Sequence, residues 1–154
     1  MVYEKDDSLA ARPALVVVAD AVQAQLYTRD HNTAPLQNVK TLQHPEGRAK
    51  ERELTSDVSG DTFDSHGFGR HSIEADYSAK QHELQLFARE IAATIEQMRT
   101  AGAFIELMLV APPKLLGALR DQLSSSARQA LRIEIPKRLT DATPEAVAQA
   151  LREA

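Results

Sequence analysis

The run Ala14-Leu15-Val16-Val17-Val18-Ala19 constrains this chain more than any other stretch. Six consecutive apolar residues, half of them valine, leave no side for water, so a strand with this pattern is buried on both faces. Such a strand is expected at the centre of a sheet with layers above and below it. A chain of 154 residues suits one core of that kind, because two would each be near the size where burial barely offsets chain entropy. The expected organisation is a flexible leader over residues 1–12 followed by a single α/β domain over residues 13–154.

Patterning predicts the remaining elements. Residues 22–29 alternate Val22, Ala24 and Leu26 with polar neighbours and read as a half-buried strand reached through a tight turn at Asp20-Ala21. Residues 36–43 form a weaker third strand. Leu84, Phe87, Ala88, Ile91, Ile95 and Met98 make one apolar stripe at three-and-four spacing and predict a helix over residues 78–102. Ser78-Ala79-Lys80-Gln81 fits a capping box at its start, and Gly102 suits the left-handed turn at its end. Residues 105–111 give a second buried strand, and Pro112-Pro113 open a helix running to about residue 123. A short helix from about Ser125 precedes Leu131-Arg132-Ile133-Glu134-Ile135, whose strict alternation marks an outer strand. Thr143-Pro144 start a last helix.

The order βββ, αβ, αβ, α, with the first and fourth strands the most apolar, places the fourth strand beside the first. The predicted fold is α/β and three-layered, a mixed five-stranded sheet ordered 3-2-1-4-5 with helices on both faces. That is the ribonuclease H-like plan.

Composition narrows the function classes. With 43% apolar and 26% charged residues the chain is globular in profile, and no apolar stretch approaches the roughly 18–20 residues of a membrane span. Glu4, Asp6 and Asp7 stand where a signal peptide needs a basic start. The absence of cysteine removes disulfides and zinc-thiolate sites and agrees with a reducing compartment, so a cytoplasmic location is expected. A net charge of −4 confines any nucleic-acid contact to a local basic patch.

Residues 44–78 do not fit the periodic scheme, and a loop of that length in a compact domain carries function or is disordered. Four of the five histidines lie in or near it, at His44, His66, His71 and His82. In His66-Gly67-Phe68-Gly69-Arg70-His71 the glycines permit a tight exposed turn presenting Arg70 and His71. Arg70 offers a planar fork to phosphate or carboxylate, and His71 a proton carrier near neutral pH. The expected binding loop comprises Asp57, Asp64, His66, Gly67, Gly69, Arg70 and His71. A metal-assisted alternative uses Asp61, Asp64, His66 and His71, carboxylates and imidazoles suited to manganese, iron or zinc. A two-metal nuclease on this plan needs acids on the first and fourth strands. Here Asp20 is equally accounted for by a hairpin turn, and the fourth strand offers Glu106 alone. No nucleophile elbow is present, and Gly67-Phe68-Gly69 is too short for a dinucleotide fingerprint. No cofactor is implied.

Glu53-Leu54-Thr55-Ser56-Asp57, Phe63-Asp64-Ser65, Gly69-Arg70-His71, Phe87-Ala88-Arg89-Glu90 and Leu109-Val110-Ala111-Pro112-Pro113 with Leu116-Gly117 resemble, in order and spacing, the bacterial host attachment protein family over about residues 13–151. The resemblance implies kinship with the middle domain of archaeal and eukaryotic peptide release factors, which share the ribonuclease H-like plan. In those factors a Gly-Gly-Gln loop precedes a long helix. Residues 67–71 occupy the analogous place and lack the glutamine, which argues against peptidyl-tRNA hydrolysis by that route. Ala21 and Arg138 depart from the family pattern, where glycine and an acid are usual. The resemblance implies a non-catalytic or weakly catalytic module associated with ribosomes or structured RNA. The other readings are the metal-assisted hydrolase and an adaptor that acts in attachment through a protein partner.

Overall fold

The computed structural model describes residues 12–46 and 68–154, the side chains of residues 68–72 and 76 excepted. The leader, apart from Arg12, and residues 47–67 of the expected loop lie outside the described residues. Five strands, β1 (Ala14–Ala19), β2 (Gln23–Arg29), β3 (Gln37–Gln43), β4 (Glu106–Val110) and β5 (Leu131–Ile135), form one sheet ordered β3-β2-β1-β4-β5. The first three pair antiparallel, and β1-β4-β5 are parallel. The helices bounded within the described residues are α1 (Phe68–Thr100), α2 (Pro113–Gln122), α3 (Ser125–Ala130) and α4 (Pro144–Glu153).

β1 is buried at every position. Leu15, Val17 and Ala19 face a cluster with Phe87, Ile91 and Ile95 of α1, Leu115 and Leu119 of α2, and Ala127 of α3. Val16 and Val18 face the other way, onto Tyr27, Met108, Val110 and Val147 and Leu151 of α4. Three helices therefore cover one face and one covers the other, which gives the predicted three layers and strand order. β3 is exposed along most of its length. Its polar edge, with Lys40 among its residues, discourages pairing with another chain.

α1 departs from expectation: it begins at Phe68, ten residues before Ser78. The reason is visible in the spacing. Ile73 and Tyr77 continue the spacing of Leu84, Ala88, Ile91 and Ile95 backward along the helix, although both are exposed. Ser78 therefore lies inside the helix and opens nothing, and Gln81 donates its side-chain amide to the Tyr77 hydroxyl at 2.9 Å. Gly69, Arg70 and His71, expected on a loop turn, have helical backbone. At the other end the prediction holds: Gly102 has φ +75°, and the bonds Ala103 N to Met98 O and Gly102 N to Arg99 O close the helix.

α3 is fixed by its cap. Ser124 Oγ accepts from Ala127 N at 3.1 Å and donates to Glu96 Oε1 of α1 at 2.8 Å. Arg99 donates to both oxygens of Glu96, and these bonds, Arg99 first and then Ser124, hold the Glu96 carboxyl down at about 2 against an ordinary 4.5. A depressed folded-state pKa contributes stability above the unfolded value that is lost as pH falls through the folded one. Glu96→Gln is therefore expected to flatten the loss of stability between about pH 4.5 and 2, read by urea unfolding across that range. An acid limb unchanged by the substitution would contradict it.

Candidate functional site

β1, β3, β4 and β5 run in one direction, so their carboxyl ends share an edge, where loops of α/β sheets gather their functional groups. Three polar assemblies stand there. The first is Asp20, 4% exposed, one residue beyond β1. Its Oδ1 accepts from Val22 N at 2.9 Å and Gln23 N at 3.0 Å, forming the hairpin turn into β2. Its Oδ2 accepts from the buried Thr140 hydroxyl at 2.6 Å and faces Arg138 Nη2 at 3.2 Å. One carboxylate thus ties the β1–β2 turn to the segment between β5 and α4. Arg138 also pairs with Asp141 at 2.9 Å, so the residue that departs from the family pattern has acids as both its partners. Asp20 is saturated by these bonds, which supports the hairpin account of it.

The second is His44, directly after β3. Its Nε2 lies 2.9 Å from Glu83 Oε1 of α1, and its ring stacks on Phe87 with centroids 4.8 Å apart and planes at 13°. Its Nδ1 is 3.8 Å from Glu46. The first residue of the expected loop is thereby clamped to the long helix. The third joins α1 to the start of α2: Lys114 Nζ donates to the Tyr77 hydroxyl at 3.0 Å. The bond from Lys114, with that from Gln81, holds the phenol below its ordinary value by favouring the phenolate. Beyond Tyr77 the helix continues for residues 68–76, about 14 Å at 1.5 Å per residue.

Of the expected binding residues, Gly69, Arg70 and His71 fall together in the first turn of α1, and Asp57, Asp64, His66 and Gly67 lie outside the described residues. The same holds for Asp61, Asp64 and His66 of the metal-assisted set. Among the described residues no three His, Asp or Glu side chains are placed to hold a metal ion, and no helix is long and apolar enough to cross a membrane. Tyr77, Glu83 and Lys114 escaped the sequence reading. The signal for Tyr77 was its place on the apolar stripe, four residues after Ile73. Nothing in the sequence marked Lys114 as its partner, since the two are 37 positions apart.

The described residues define a three-layer mixed α/β domain with a polar carboxyl edge and one long helix, α1. The chain belongs to the family described as protein required for attachment to host cells, whose model matches residues 15–151. It is 28% identical over 146 residues to the uncharacterized protein RP470 of Rickettsia prowazekii (strain Madrid E), covering 89% of this chain and 91% of that one. Among solved structures it is similar to the archaeal translation termination factor aRF1, with a TM-score of 0.45 and 14% identity over 99% of this chain and 40% of that one. It is also similar to the PilM-PilN type IV pilus biogenesis complex, with a TM-score of 0.44 and 20% identity over 98% of this chain and 48% of that one. The chain thus spans less than half the length of either structure.

Thr140→Val is expected to destabilise the fold by about 1.5–3 kcal/mol, the loss of a hydrogen bond to a buried charge, measured by chemical denaturation. A change under about 0.5 kcal/mol would mean that the hydroxyl does not hold Asp20. In a double-mutant cycle, His44→Ala and Glu83→Gln are expected to be non-additive by about 0.5 kcal/mol or more. Additive losses would show the two to be uncoupled.

Proposed function

We propose that the chain is a binding module for phosphate-rich structured RNA, acting in a ribosome- or RNA-associated complex, with the first turn of α1 as its contact. The observation that carries this is the charge at the amino end of α1. Its first turn holds no acid, and Gly69, Arg70 and His71 stand there instead. Helix amino ends carry partial positive charge and normally attract acidic residues. A cationic start is unfavourable within the isolated helix and becomes favourable when an anion is supplied from outside. Glycine at 69 lets a backbone approach closely, Arg70 suits the phosphate fork, and the helix carries them past the Tyr77–Lys114 contact. With a chain charge of −4, recognition stays local to this end.

One observation favours a second reading, an adaptor for a protein partner in attachment. Ile73 and Tyr77 are 45% and 48% exposed on one stripe of α1, a short apolar face of the kind that helix-docking partners cover.

Sedimentation of the tagged protein with ribosomal particles separates the readings. Co-sedimentation that weakens as salt rises is expected, with Arg70→Ala weakening it by roughly five- to tenfold, or about 1–1.4 kcal/mol. A chain that stays free of particles at every salt concentration overturns the RNA reading. Crosslinks to envelope proteins that are lost in Tyr77→Ala would favour the adaptor.

A further inference from the structure

Among the described residues, the opposite, amino-terminal edge of the sheet holds a buried charge, Arg29, whose Nε has no hydrogen-bond partner. Arg29 ends β2, is 7% exposed, and has an enclosed Nε without a hydrogen-bond partner. Register sets Arg29 opposite Ala14 on β1, and Ala14 beside Glu106 on β4. Paired residues point to one face of a sheet, here the face of Val16, Tyr27 and Met108 that α4 covers. A row of Arg29, Ala14 and Glu106 therefore crosses three strands, with a methyl group between two charged side chains.

No ion pair joins Arg29 to Glu106, because Glu106 is engaged elsewhere. Its Oε2 accepts from Arg12 Nη1 at 3.0 Å and lies 3.9 Å from Arg132 Nε. Arg152, in the last turn of α4, adds like charge near Arg29 and donates to the Gln149 side chain instead of to a carboxylate. Burial pushes the Arg29 guanidinium below its ordinary value, Glu106 raises it, and Arg152 lowers it again. Among the described residues, Glu106 is thus drawn to Arg12 and Arg132 while Arg29 feels it only at a distance, in a chain that is acidic as a whole.

An arginine cannot relieve burial by losing its proton, and an enclosed N–H without an acceptor carries its full desolvation cost. An oxyanion meeting the part of the guanidinium that stays exposed would supply the counter-charge, and a phosphate matches the guanidinium fork. We infer that Arg29, with Arg152 near it and Arg132 linked to it through Glu106, forms a binding site for a small phosphate-bearing anion at the amino-terminal edge of the sheet. This site is separate from the first turn of α1 and does not rest on the RNA reading. Glu106 tempers its affinity by drawing Arg12 and Arg132 to itself.

Thermal unfolding of the full chain in inorganic phosphate, against chloride at equal ionic strength, reads the site. Tm is expected to rise by several degrees in phosphate and not in chloride. A parallel titration with ribose 5-phosphate tells a free ion from an organic monoester by which acts at the lower concentration, and either result supports the site. Glu106→Gln is expected to tighten the phosphate response roughly two- to fivefold, and Arg29→Met to abolish it. Where Arg29→Met does not fold, the surface pair Arg132→Gln/Arg152→Gln is expected to weaken the response by about tenfold. Arg70→Ala leaves it intact. Absence of a phosphate-specific rise in the unsubstituted chain, persistence of the rise in the arginine variants, or its loss in Arg70→Ala overturns the inference.

Discussion

Burial of β1 on both faces is the constraint on which the other elements depend. Leu15, Val17 and Ala19 require one apolar layer, and Val16 and Val18 require another. Neither requirement can be met by the sheet itself, so α1, α2 and α3 are drawn to one side and α4 to the other. The neighbours follow. β2 arrives through the tight Asp20 turn and must lie antiparallel, whereas β4 returns after a long helix and lies parallel. An alanine at each end of β1 narrows it where turns and charged side chains approach.

Strand direction then gives the two edges of the sheet different characters. At the carboxyl edge, Asp20, His44 and Tyr77 each bind a group from a distant part of the chain, so that edge is held together by its own polar groups. Asp20 shows how completely: its buried carboxylate is met by two amides, a hydroxyl and a guanidinium. At the amino edge, among the described residues, Arg29 Nε has no hydrogen-bond partner and Glu106 is taken up by Arg12 and Arg132.

Much of the fold was legible because its signals are local. β5 was marked by strict alternation, α2 by its proline start, and the turn after α1 by Gly102, whose positive φ few other residues adopt. The start of α1 was misplaced because Gly69 and Ser72 weaken the helical pattern and Ser78-Ala79-Lys80-Gln81 mimics a cap. The three-and-four spacing nonetheless continues through Ile73 and Tyr77 within the helix. Of the candidate site, the chain's order marked the stretch around residues 69–71, and the structure turned that stretch from loop into the amino end of a helix.

Periodicity, turn residues and the six-residue apolar run determined by themselves the number of layers and the strand order. These depend on side chains within a few positions of one another, and one chain contains that information in order. Tertiary structure alone decided the pairings that cross the fold: Asp20 with Thr140 at a separation of 120 positions, His44 with Glu83, Lys114 with Tyr77, and Arg29 left beside an occupied Glu106. The physical reason is that a charged or polar side chain takes its role from which partners desolvate or satisfy it. The layers and register of the sheet bring those partners in from remote parts of the chain.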